Sequence, residues 1–254
     1  MASILHGVAQ EKAGRAATTS THSFVSAPLT DGEFDLVQRS IEAYLARLRD
    51  LELHVHVLRD FERYVAVRRA NGEHHLNQAF DPAHTQFDRR DFWLLLEDHA
   101  GTTVATYCMR ILDVENFYTE VQTLRFWFGP KLRLVDPRFV LTCSIPPFGG
   151  VVASCGGMWV RPDRRGGGIS RIVPRLARAL GLRNSNIDHD CGMVLNNPDP
   201  ARLAVRNYGY ARVDLMADGW FPPEERDMTV HLCHADRAEC LTSLVAPTAL
   251  ALAA

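Results

Sequence analysis

Lysine is almost missing from this chain. Lys12 and Lys131 are the only two in 254 residues, so its basic character rests on arginine. The formal net charge is −2, so no global field draws the protein to nucleic acid or to an anionic membrane. No stretch approaches the ~20 apolar residues of a membrane span. The start lacks the basic residue and apolar run of a secretory signal. The six cysteines (Cys108, Cys143, Cys155, Cys191, Cys233 and Cys240) form no Cys-x-x-Cys pair, and several sit in apolar stretches. That usage predicts a reduced, cytoplasmic chain without a metal cluster. There is no internal repeat.

What is present is an ordinary globular composition, 46% hydrophobic and 23% charged, with enough length for one generous domain. Residues 1–30 are rich in small and polar residues without a period and are expected to be a flexible leader. Residues 31–240 are expected to form the domain. Residues 241–254 form an apolar tail interrupted by Pro247, able to dock on the surface or in a homodimer.

Within the domain, Phe34, Val37, Ile41, Tyr44, Leu45 and Leu48 fall on one helical stripe. Leu51 to Leu58 alternates and predicts a half-buried strand. Its outward His54 and His56 have no further ligands nearby and are expected to be surface residues. Phe92–Glu97 and Thr103–Leu112 read as a hairpin across Asp98–Gly101. A helix is expected around Asn116 to Phe126, within an irregular insertion that ends near Gly149. Val151 to Val160 is a strand interrupted by Gly156–Gly157, a pair that suggests a bulge or a close neighbour against the backbone. Cys191–Leu195, Ala211–Met216 and Met228–His234 read as further strands, and Ala201–Tyr208 as a helix. The order argues an α/β fold with a sheet of mixed direction.

Between the strand of 151–160 and an amphipathic helix lies Arg161-Pro162-Asp163-Arg164-Arg165-Gly166-Gly167-Gly168-Ile169-Ser170. The helix stripe Ile169, Ile172, Val173, Leu176, Ala177 and Leu180 is regular, although Pro174 conflicts with a helix beyond its first turn. Helix starts carry unpaired N–H groups and partial positive charge, and glycine lets a ligand approach the backbone. Seven arginines lie between 161 and 183 against one carboxylate, Asp163. The combination suits an anion such as phosphate, although glycine clusters also make plain turns. No lysine follows the glycines as a Walker A loop requires. Arg171 stands where a dinucleotide fingerprint needs its third glycine.

Val160 to Ser170 resembles the acyl-CoA-binding signature of the GCN5-related N-acetyltransferases: a strand ending Val-x-Pro, then Arg/Gln-x-x-Gly-x-Gly/Ala opening a helix. Arg165 takes the Arg/Gln place, Gly168 the first glycine and Ser170 the last small residue. Gly209–Tyr210 resembles the Gly-Phe that closes the family's later helix. The resemblance implies a mixed sheet splayed at the cofactor site and transfer of an acyl group, most simply acetyl, from acyl-CoA to a small-molecule or peptide amine. It implies that Met158 and Val160 bond the pantetheine arm. The amides of Gly166, Gly167, Gly168, Ile169 and Ser170, with Arg165, would hold the pyrophosphate, and the thioester would lie near Cys155 and Gly156. The family's usual acid tyrosine is replaced by Val205, and no carboxylate stands on the strand where a base is common. Glu115, His189 and Tyr208 are the substitute candidates. The missing groups leave open a module that binds or senses acyl-CoA without turnover. The Gly156–Gly157 pair leaves open a longer-chain acyltransferase.

Overall fold

The computed structural model describes residues 26–129 and 135–245. Most of the expected leader and the last nine residues of the expected tail lie outside that range. Helix α1, Asp31–Asp50, starts at Thr30, whose side chain accepts from the Glu33 amide while the Glu33 carboxylate accepts from the Thr30 amide. Val37, Ile41, Tyr44 and Leu48 of the predicted stripe are buried, whereas Phe34 is 45% exposed. Strand β1, Leu53–Leu58, begins two residues later than the alternation suggested, because Glu52 turns the chain at φ 58°. Helix α2, Phe61–Ala70, follows. Strands β2, Phe92–Asp98, and β3, Thr103–Val114, form the predicted hairpin. Its turn is tied by the Asp98 carboxylate, which accepts from the Ala100 and Thr102 amides.

The single helix expected around Asn116 to Phe126 is two short pieces, α3 (Phe117–Gln122) and α4 (Arg125–Phe128), broken where Leu124 takes a left-handed conformation. Strand β4, Gly150–Val160, leads through the glycine loop into α5, Ile169–Ser185. Helix α5 does run through Pro174. Val173, Leu176 and Ala177 on the same stretch are fully buried, and that packing outweighs the lost backbone bond. Strand β5 spans His189–Leu195. Residues 202–207 form a π-helical turn rather than the expected α-helix. Strands β6, Arg212–Phe221, and β7, Arg226–Asp236, are longer than predicted. The loop expected at 217–227 shrinks to the turn around Pro222–Glu225. Helix α6, Arg237–Val245, closes the described chain and packs on α1, so the boundary expected at 240 falls inside a helix.

The seven strands form one sheet in the order β1-β2-β3-β4-β5-β7-β6. Every neighbouring pair is antiparallel except β4–β5. Helices α1, α5 and α6 cover one face; α2, α3, α4 and the segment leading to Phe148 cover the other, so each face has its own apolar core. No described helix is long and apolar enough to cross a membrane.

The core also holds many protonated thiols and phenols. Burial pushes Cys233, Cys240 and Tyr44 up to about 12. Ordinary values are about 8.5 for a thiol and 10 for a phenol. The folded state therefore keeps protons that the unfolded chain releases, and stability present below pH ~8.5 is lost as pH rises toward 12. Urea midpoints should fall steadily between pH 8 and 10.5; a flat profile would contradict this burial.

Candidate functional site

Parallel strands β4 and β5 are paired only from Val152↔His189 to Cys155↔Gly192. Beyond that point both strands continue, β4 to Val160 and β5 to Leu195, each still paired on its far side. The seam therefore parts, and a cavity of about 260 Å³ opens in the gap.

The parting has a local cause on β4. Opposite β3, Thr106 pairs with Trp159 but Cys108 with Gly156, so Gly157 and Met158 face one residue. This is a β-bulge with Gly157 at φ 62°. A Cβ there would sit 2.5 Å from the Tyr64 hydroxyl, so conformation and close packing both select glycine. The Gly157 carbonyl, turned out of the ladder, accepts from Arg68 Nη1 at 2.7 Å and Thr106 Oγ1 at 3.2 Å. Arg68 is 7% exposed and reaches this carbonyl from α2. Past the bulge, the Arg161 amide bonds back to Val104. Alternation along the strand then turns the backbone groups of Val160 toward the gap. Its carbonyl is occupied by Arg165 Nε at 3.0 Å, which leaves the amide as the free group there.

The neighbour suggested for Gly156 is an aromatic ring. A Cβ on Gly156 would lie 2.5 Å from Cε2 of Phe80, a buried residue in the short turn Gln78–Phe80. The glycine pair thus makes room for Phe80 and Tyr64.

The loop after β4 is open. Gly166 and Gly168 have φ of 85° and 80°, and a Cβ on either would meet nothing within 4 Å. Gly168 caps α5 with no side-chain hydrogen bond. Among the described residues, the amides of Gly166, Gly167, Gly168, Ile169 and Ser170 have no hydrogen-bond partner, while Arg164, Arg165 and Arg171 on either side do. Five adjacent unpaired donors at a helix start are an arrangement able to cradle an anion. The arginines divide their work. Arg161 is held by Asp98 and Asp163 at 3.1 and 2.8 Å. Arg175 donates to the carbonyls of Arg171 and Asn207. Arg164 and Arg171 make no ion pair among the described residues and remain available beside the cradle.

Where the two strands separate, Arg178 of α5 is fully buried and donates to Asp190 at 2.6 Å and to the Gly209 carbonyl at 2.9 Å. Asp190 also accepts from the Tyr210 hydroxyl at 3.1 Å and from Cys155 Sγ at 3.2 Å. This network ties α5, β4, β5 and the chain after the π-helical turn together at the apex of the gap. Burial, and then the Asp190 charge, hold the Cys155 thiol well above its ordinary value, so it is not a thiolate nucleophile.

Of the three candidate catalytic groups, only Tyr208 lines the cavity. It follows the π-helical turn, its hydroxyl has no partner among the described residues, and burial raises its pKa to about 12. Glu115 is exposed just after β3, with Gly149 packed on its backbone. It lies at the opposite end of β4, roughly 20 Å from Gly156 at ~3.3 Å per residue. His189 is half-buried at the start of β5, in contact with His234 at 3.1 Å and against the Phe148 ring. Burial lowers its pKa, and the cavity begins about 10 Å further along the strand. Sequence reasoning missed Asn77, Phe80 and Phe126, which wall the cavity from the opposite side of the sheet, and Arg68, which holds the bulge. None carries a local sequence signal.

No family profile and no curated sequence matches the chain. Solved structures do resemble it. Spermidine N-acetyltransferase from Vibrio cholerae is 13% identical, covering 74% of this chain and 95% of its own, with a TM-score of 0.44. Arabidopsis thaliana NAA60 in complex with a bisubstrate analogue is 13% identical over 72% of this chain and 97% of its own, with a TM-score of 0.45. NAA60 in complex with acetyl-CoA is 11% identical over 73% and 99%, with a TM-score of 0.42. The mixed sheet and its parting beside the glycine loop agree with the mixed, splayed sheet that the resemblance to the GCN5-related N-acetyltransferases implies.

Proposed function

We propose that the protein is an acyl-CoA-dependent N-acyltransferase. The observation that carries this reading is the row of five unpaired amides at the head of α5, beside the parting of β4 and β5. A diphosphate on Gly166 to Ser170 satisfies those donors and faces Arg164 and Arg171. A pantetheine arm then runs along the free edge of β4, past Val160 and Met158, as a strand-like chain replacing β5. The thioester arrives at Cys155 and Gly156, next to Tyr208.

The amine nitrogen attacks the thioester carbon and the C–S bond breaks. The departing sulfur takes the phenol proton of Tyr208, and the proton shed by nitrogen returns to that phenolate through solvent. Tyr208 fits the donor role because its raised pKa keeps it protonated at neutral pH. Among the described residues no carboxylate or imidazole lines the cavity, so no side chain there serves as base. Holding amine and thioester in contact supplies most of the acceleration. Six free thiols fit a reducing, cytoplasmic setting.

Calorimetry with acetyl-CoA should give one site per chain, and a thiol-release assay with a mixed amine panel should show turnover. Binding without turnover would make the protein a non-catalytic acyl-CoA sensor, and absent binding would remove the assignment.

A further inference from the structure

The cavity wall narrows the acceptor. On the side of the cavity away from the pantetheine path stand the rings of Phe80 and Phe126, with Asn77 beside them. Its polar side chains are neutral, chiefly Asn77, Asn197, Ser154 and the Tyr208 hydroxyl. No Asp, Glu, Lys, Arg or His lines it among the described residues. The one carboxylate just behind the wall, Asp190, is 1% exposed and already engaged by Arg178, Tyr210 and Cys155. An alkylammonium entering this space loses its hydration and meets no counter-charge. The ring faces can attract a cation, but they favour the protonated form, which cannot attack a thioester. No group in the wall removes that proton.

We propose that the acceptor is a weakly basic aromatic primary amine, taken up neutral, rather than an alkylamine, a lysine side chain or a polyamine. The proposal rests on the acyltransferase reading of the same cavity. An aromatic amine is uncharged at pH 7, presents its lone pair without a base, and offers a flat face to Phe80 and Phe126. An alkylamine with a pKa near 10.4 has only about 4 molecules in 10,000 neutral at pH 7.

The test measures CoA release from acetyl-CoA with 4-methylaniline, benzylamine, spermidine and Nα-acetyl-lysine, each from pH 6.5 to 9, with acetyl-CoA binding measured separately. 4-Methylaniline should exceed benzylamine in kcat/KM by about 30-fold at pH 7. Its profile should be flat, while that of benzylamine climbs about tenfold per pH unit. The variant Asn197→Asp, nearly isosteric, places a carboxylate in the wall and should shift the ratio toward benzylamine by about tenfold. Efficient use of spermidine, Nα-acetyl-lysine or benzylamine by the unmodified protein overturns the proposal. So does failure to acylate 4-methylaniline when acetyl-CoA binds, or an unchanged ratio in Asn197→Asp. Absent acetyl-CoA binding overturns the acyltransferase reading itself, and is thereby distinguished from a wrong acceptor class.

Discussion

Gly168→Asp is expected to weaken acetyl-CoA binding by about 100-fold or more while leaving the melting temperature nearly unchanged. Gly168 has φ 80°, and aspartate is among the few residues that tolerate this region, at a cost of about 1 kcal/mol. A carboxylate at a helix N-terminus returns ~0.3–1 kcal/mol through the helix dipole, so the folded state is close to neutral overall. The side chain projects into open space and displaces nothing. A diphosphate on the adjacent amides meets a like charge about 5 Å away, worth a few kcal/mol at an effective dielectric of 20. Gly168→Asn carries the same backbone strain without the charge and should lose less than about tenfold. Calorimetry on both variants, with thermal melts, separates the effects. Equal affinities for Asp and Asn would mean that no anion sits at this loop.

Tyr208→Phe is expected to lower kcat by about 10²- to 10³-fold with acetyl-CoA affinity unchanged. The Tyr208 hydroxyl has no partner among the described residues, so deleting it breaks no native hydrogen bond, and stability should be equal or slightly higher. In the unmodified enzyme the phenol stays protonated up to about pH 12, so kcat should show no alkaline decline through pH 10. Single-turnover kinetics under saturating acetyl-CoA isolates the chemical step. A variant with undiminished kcat would show that solvent protonates the leaving sulfur unaided.

Much of the scaffold was legible because its signals are contiguous. The β2–β3 hairpin, the break in β4 at the glycines, the cradle and α5 each announce themselves within about 20 residues. The catalytic surroundings were less legible because their partners are far apart in the chain. The bulge at Gly157 is held by Arg68, 89 residues away, and the ring that explains Gly156 belongs to Phe80. Val205 and Tyr208 stand differently toward the cavity. Val205 holds the place where the resemblance puts a tyrosine, and it lies on the π-helical turn of residues 202–207. Val205 is left 44% exposed and Tyr208 faces the cavity. Glu115, just after β3, and His189, at the start of β5, were chosen for their chemistry and do not line the cavity.

The same-direction contact between β4 and β5 has a consequence for assembly. Before it lie four antiparallel neighbours, β1 to β4, and the strands after it close with the β6–β7 hairpin. The four residue pairs of that seam, the packing of α1 on α5 and α6, the Trp127 and Phe139 rings against Phe221 and the buried guanidinium–carboxylate knot join those halves. A molecule lodged in the cleft touches both halves at once, and its grip is felt as resistance to their separation.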